Sequence, residues 1–222
     1  MRWQDIVAKT AVHKALEEVL RTGKPFCPDS KDIFRAFELL SPDKVRVCLT
    51  GMDPYPQKGV STGILFANKE NTPEDKLSPS LRIIKNSFLE YLQVSEKDIT
   101  FDPSLVYLVE QGVLMINSAL TVEVNNPGSH SLIWRPFTSH LLHNLSRSNP
   151  DIIFVLFGQQ AQSFRPYIDS RNCCFETYHP AYFARRSGET EKSGILLYAA
   201  LWMGINLILH NRGEKEINWL NQ

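Results

Sequence analysis

Four apolar runs recur along the chain, and each ends on a glycine or a polar residue. Val45 to Thr50 stops at Gly51 and leads into Met52-Asp53-Pro54-Tyr55-Pro56; Gly112 to Ile116 stops at Asn117; Asp151 to Phe157 stops at Gly158-Gln159; Cys173 to Tyr178 stops at His179-Pro180. Short apolar runs bounded by turn residues predict strands buried on both faces. Between them lie segments with helical spacing. Ile6, Val7, Val12, Leu16, Val19 and Leu20 predict one amphipathic helix over residues 3–21, stopped by Gly23-Lys24-Pro25. Asp32 to Phe37 reads as a second short helix, and Leu81 to Leu92 as a third with Ser80 at its N-cap. A loop from Ser129 to Phe137 should precede a helix ending near Ser148. Ser193 to Asn211 carries no Asp, Glu, Lys or Arg and approaches the length of a membrane span, but Asn206, His210 and two glycines favour a helix buried in protein.

Strands alternating with helices predict an α/β fold: one three-layer domain over residues 1–222, with a central, mostly parallel four-stranded sheet flanked by helices. In such a sheet the polar strand ends Asp53, Asn117, Gln159 and His179 converge on one edge, and that edge is where ligands bind.

Composition narrows the class. With 222 residues, 43% hydrophobic and 22% charged, the chain is expected to be an ordinary soluble globular protein. The 24 basic and 24 acidic residues cancel, which excludes a global basic field; nucleic acid would have to be held by a local cationic face. The N-terminus lacks the apolar core of a signal peptide, and the four cysteines have neither disulfide-rich nor metal-site spacing, so a cytoplasmic location is expected. His140 and His143 share a helix face without a further ligand, and no metal or cofactor is predicted. Nucleotide fingerprints, a nucleophile elbow and zinc patterns are missing from the sequence.

The strand ends hold the chemistry. Gly51 permits close approach, and Pro54 holds Asp53 out of helical geometry on a stiff loop, although Asp-Pro alone serves equally to start a turn. Phe66 sits in a glycine-bearing loop, where an aromatic is more often core than platform. A carboxylate, a histidine, an amide and an aromatic together suit cleavage of a bond whose transition state separates charge. The substrate stays unnamed on these grounds.

Gly51-Met52-Asp53-Pro54-Tyr55, Phe66, Ser78-Pro79-Ser80-Leu81, Gly112 to Asn117 with Leu120-Thr121-Val122, Ser129-His130, Trp134, Phe137-Thr138, Gly158 with Ala161-Gln162, His179-Pro180 and Ile217-Asn218-Trp219 stand in one characteristic order. Through them the chain resembles the family 1, uracil-excising uracil-DNA glycosylases over nearly its whole length. The resemblance implies a monofunctional enzyme that flips deoxyuridine out of DNA and hydrolyses its N-glycosidic bond without a metal. It implies that Asp53 steadies the sugar cation and orients water, and that His179, neutral at rest, donates to the uracil oxygen that gains charge. Asn117 would read the base edge, Phe66 would stack on it, Met52 would lie in the uracil site, and Tyr55 would exclude thymine's methyl. Ser80 and Gln159 would meet DNA phosphates, Phe183 would be the apolar wedge, and Arg185 and Arg186 would supply local positive charge.

Several positions depart from the family pattern: Met52 replaces a glutamine and Pro56 a histidine, viral members also carrying proline at the second. The usual His-Pro-Ser-Pro-Leu loop is His179-Pro180-Ala181-Tyr182-Phe183, and the usual glycine-serine pair is Gly158-Gln159. A DNA-binding accessory protein with weak catalysis on the same fold is the alternative. Expected partners are uracil-containing DNA, single or double stranded, and proteinaceous glycosylase inhibitors, with a monomeric chain and no membrane.

Overall fold

The computed structural model describes residues 1–221. The predicted strands form one parallel sheet from β2 (Val47–Gly51), β3 (Val113–Asn117), β5 (Ile153–Phe157) and β6 (Cys174–Thr177), in the order β3-β2-β5-β6. A two-residue antiparallel pair, β1 (Phe26–Cys27) with β4 (Val122–Glu123), lies apart from it. β2, β3 and β5 are buried at every position, which is why their sequences run apolar without alternation. Register pairs Gly51 with Asn117 and Phe157 with Thr177. The chain leaves β2 towards β3 on one side and returns to β5 on the other. The loop after β2 therefore stands at the topological switch point, where a crevice opens outside the strand ends.

The helices are α1 (Trp3–Ile6), α2 (Lys9–Arg21), α3 (Arg35–Leu39), α4 (Pro79–Leu92), α5 (Val106–Glu110), α6 (Ser131–Ser148), α7 (Gly158–Gln162), α8 (Pro180–Ala184) and α9 (Glu189–Asn211). Three differ from the sequence expectation. The single helix over 3–21 is broken at Val7, which is extended (φ −131°) and buried, while the Trp3 indole donates to the Phe37 and Leu40 carbonyls. The second short helix starts at Arg35 instead of Asp32. The expected loop before the long helix is already helical from Ser131, with Pro136 inside it. Proline removes one backbone donor, but the buried Trp134 and Phe137 hold the turn against the core.

α9 is long and apolar enough to cross a membrane by composition. In the fold it packs Tyr198, Trp202, Ile205 and Leu209 inward, chiefly against α4, and leaves Leu196, Met203 and Leu207 outward. Trp202 packs against Trp219 with the rings tilted (4.7 Å between centroids), and its indole donates to Ser87 on α4 (2.8 Å). Two residues before Ser87, buried Lys85 meets Glu74 (2.7 Å) and Glu96, which ties the segment leading into the α4 N-terminus to the middle of the helix.

Candidate active site

Asp53 leaves β2 on the proline-stiffened loop, and its Oδ2 accepts the Gly128 N–H at 2.6 Å. Burial raises its pKa above the ordinary carboxylate value, against the smaller opposing effect of that hydrogen bond. A carboxylate so placed is poorly solvated and gains most from a positive charge developing nearby. Met52 supports the loop through its carbonyl, which accepts from Ser118 Oγ (2.8 Å) and Ala119 N (2.9 Å). A Cβ on Gly128 would sit 3.2 Å from Met52 Cε, so the methyl end of Met52 lies against that glycine, next to the group that steadies Asp53.

His179 follows β6 and caps α8, its Nδ1 accepting from Ala181 N at 3.2 Å. In neutral imidazole an accepting Nδ1 leaves the proton on Nε2. Burial, assisted by the Arg185 charge, lowers the His179 pKa to about 4. Gly158, with φ 82°, lets α7 begin against His179, since a Cβ there would lie 3.0 Å from the histidine Cβ. The ring meets Phe66 edge-on at 5.5 Å, and Phe66 meets Phe157 at 5.2 Å.

Phe66 is buried with a left-handed backbone (φ 64°), a conformation that costs a non-glycine residue about 1–3 kcal/mol. Its surroundings hold it there. Tyr55 Oη donates to the Phe66 carbonyl at 2.9 Å; two residues on, Asn68 N donates to Pro103 O (2.9 Å). The Asn68 side chain grips Ser78 twice at 2.7 Å, giving Nδ2–H to Ser78 Oγ and accepting Ser78 N–H on Oδ1. Burial pushes the Tyr55 phenol up, against the smaller effect of donors at Ser78, Leu81 and Ser80, so the ring also sits at the α4 N-terminus.

Ser78, not Ser80, is the N-cap of α4. Its hydroxyl accepts from Asn68, and the first-turn N–H groups have no side-chain cap. Ser80 is the second residue of the helix, buried at 3% exposure, so what this end offers an anion is mainly backbone N–H. Gln159 is exposed at the start of α7. Asn117 ends β3 buried, its Oδ1 without a hydrogen-bond partner among the described residues, beside Gly51, whose added Cβ would come within 3.1 Å of that oxygen.

The fold thus gathers Asp53, Asn117, Phe66, Tyr55 and His179 at one sheet edge. Phe183 is the exception: it is 5% exposed, meets Tyr178, Tyr182 and Tyr198, and rests on Gly194 of α9, where an added Cβ would come 2.3 Å from its ring. A side chain so enclosed cannot serve as a wedge between bases. Arg185 and Arg186 are exposed beside it. Sequence reasoning missed Gly128, for which the Asn126-Pro127-Gly128 turn was the available signal, and Asn68, for which none existed.

A family model described as the Uracil DNA glycosylase superfamily matches residues 17–200. The uracil-DNA glycosylase of Bacillus subtilis (strain 168) is 36% identical over 212 residues, covering 93% of this chain and 88% of that one. That of Glaesserella parasuis serovar 5 (strain SH0165) is 31% identical over 230 residues, covering 98% and 97%. Among solved structures, mimivirus uracil-DNA glycosylase gives a TM-score of 0.75 over 99% of this chain and 89% of its own, at 21% identity. A mimivirus UNG variant in complex with UGI gives 0.76 over 92% and 79%, at 24% identity. At such identities the structural likeness speaks for the fold.

Proposed function

The chain belongs to the uracil DNA glycosylase superfamily and excises uracil from DNA in repair; from that premise we propose how its own residues carry the reaction. A deoxyuridine leaves the base stack and its uracil lies against Phe66. Asn117 reads the base edge, its unpartnered Oδ1 taking an N–H and its Nδ2 giving one to the adjacent carbonyl oxygen. The glycosidic bond breaks with its electron pair going to the uracil nitrogen, and the sugar gains positive charge. His179 gives an Nε2–H hydrogen bond to the uracil oxygen that becomes negative, while Asp53 stabilises the sugar cation and orients the water that adds to C1′. Tyr55, held to the Phe66 carbonyl, presents a fixed ring where thymine carries its methyl.

The single observation that carries this reading is His179. Its Nδ1 is committed to Ala181 N, which leaves the proton on Nε2; the ring packs against Phe66, and burial keeps it neutral above a pH of about 4. A neutral donor matched to an emerging anion stabilises it without first pairing with water. Phosphates would meet the α4 N-terminus at Ser80, Gln159 and Arg185. The partners on this reading are uracil-containing DNA, single or double stranded, and, since a mimivirus protein of the same fold was solved with UGI, a proteinaceous inhibitor.

The test is single-turnover excision from oligonucleotides carrying one uracil, with a thymine control and chelator present. Fast, chelator-resistant, uracil-only release that Asp53→Asn largely abolishes is expected. Tight DNA binding with no release, or equal turnover of wild type and Asp53→Asn, would overturn the assignment.

A further inference from the structure

Tyr178 and Tyr182 flank His179 in the chain and are 59% and 42% exposed, yet their rings stack at 5.1 Å with an interplanar angle of 24°. The pair is held from several sides. Phe183 meets both rings edge-on from the protein interior, at 5.9 and 5.1 Å, and the Tyr198 hydroxyl fixes the Tyr178 carbonyl at 2.6 Å. Arg186 lies over Tyr182 with its guanidinium 3.8 Å from the ring centroid and donates to the Tyr182 carbonyl. The result is a ladder of Arg186, Tyr182 and Tyr178, open to solvent, with the exposed Arg185 next to it.

We propose that this ladder is a stacking site for an unpaired nucleobase outside the uracil site, the base extending the stack over Tyr178 and the strand's phosphates meeting Arg185 and Arg186. The inference rests on the DNA reading given above. A nucleotide combines a flat apolar face with a negative phosphate, and the ladder combines flat aromatic faces with two guanidinium groups. Exposed aromatics interleaved with cations serve single strands of any sequence, because every base has a π-face. A paired base inside a duplex has no free face to offer. The same contacts explain why Phe183 is buried: it is the support beneath the ladder.

The test uses the whole protein and a fluorescein-labelled oligothymidylate without uracil, with a duplex of equal length as control. Tyr178→Ala should weaken single-strand binding by about 5- to 150-fold, Tyr178→Phe by less than about twofold, and duplex binding by less than about twofold in either variant. Unchanged single-strand affinity in Tyr178→Ala, or equal loss on single strand and duplex, would overturn the proposal. A wild-type measurement guards against a misfolded variant: 2-aminopurine in the single strand should lose emission on binding, and unquenched emission from every position would overturn the site. Uracil excision is assayed in parallel. If the wild type excises nothing and Tyr178→Ala still loses single-strand affinity, the ladder stands and the glycosylase reading fails.

Discussion

Tyr55→Phe deletes one oxygen and keeps the ring, so it separates two tasks that Tyr55 performs at once. The hydroxyl hydrogen to the Phe66 carbonyl, at 2.9 Å, is the direct tie between the catalytic loop and the left-handed Phe66 backbone. That backbone costs about 1–3 kcal/mol. The hydrogen bond contributes about 0.5–1.5 kcal/mol net, and leaving a buried carbonyl unpaired costs about 1–3 kcal/mol. The two effects are of the same size, so removing the oxygen removes a restraint about as large as the strain it opposes. Tyr55→Phe should therefore lose about 1–3 kcal/mol of stability, which in a domain of this size lowers Tm by about 2–12 °C. If the misplaced Phe66 ring carries the same loss into the transition state, single-turnover uracil excision slows by about 5- to 150-fold. Thymine stays rejected, because the ring remains. Tyr55→Ala, which removes the wall, should admit thymine while still releasing uracil slowly. Rates on matched uracil and thymine oligonucleotides, with thermal unfolding of the same samples, check both statements. Wild-type rate and Tm in Tyr55→Phe would refute the restraint, and thymine release by Tyr55→Phe would move the discrimination from the ring to the hydroxyl.

Asp53→Asn should slow excision by about 10²- to 10⁴-fold yet raise Tm at neutral pH. The folded state of the wild type holds the Asp53 proton more tightly than the unfolded chain, so stability falls as pH rises from the ordinary carboxylate value through the raised one; Asn escapes this, and the Tm gain should vanish near pH 3, as calorimetry would show. His179 titrates in the opposite sense. Between 6.5 and about 4 the unfolded chain takes up a proton that the folded protein refuses, so the wild type loses up to roughly 3 kcal/mol as pH falls through that window, and His179→Gln should lack this slope in acid unfolding. For the same reason excision should show no protonation limb near pH 6.5. Asn68→Ala orphans the buried Ser78 N–H and should destabilise by about 1–3 kcal/mol while lowering kcat, an effect a chemical-denaturation curve beside single-turnover rates would separate from simple unfolding.

What could be read in the sequence follows from how local the cause is. β2, β3 and β5 were legible because a strand buried on both faces must be apolar at every position, and their polar ends were legible because Gly51, Pro54 and Gly158 punctuate them. Asp53, Asn117 and His179 then fall together by topology alone. The break at Val7 was not legible, since it depends on Trp3 reaching carbonyls at Phe37 and Leu40. The cap was misplaced by two residues, at Ser80, because Pro79 fits the first helical residue and moves the cap to Ser78. Phe183 reads as an apolar wedge through the family resemblance until Gly194, eleven residues on and in another helix, supplies the space it fills. Asn68 acts on a residue ten positions away and shares no pattern with it.

The seat of Phe183 on Gly194 also decides which partner does the bending. The segment that carries His179 is keyed into the longest helix of the protein, so swinging it outward would empty a ring-sized space at a cost of about 3–5 kcal/mol, a state populated by roughly 0.6% to 0.02% of molecules. A histidine mounted this way behaves as an anvil: when an extruded nucleotide is brought to it, the deformation falls on the nucleic acid.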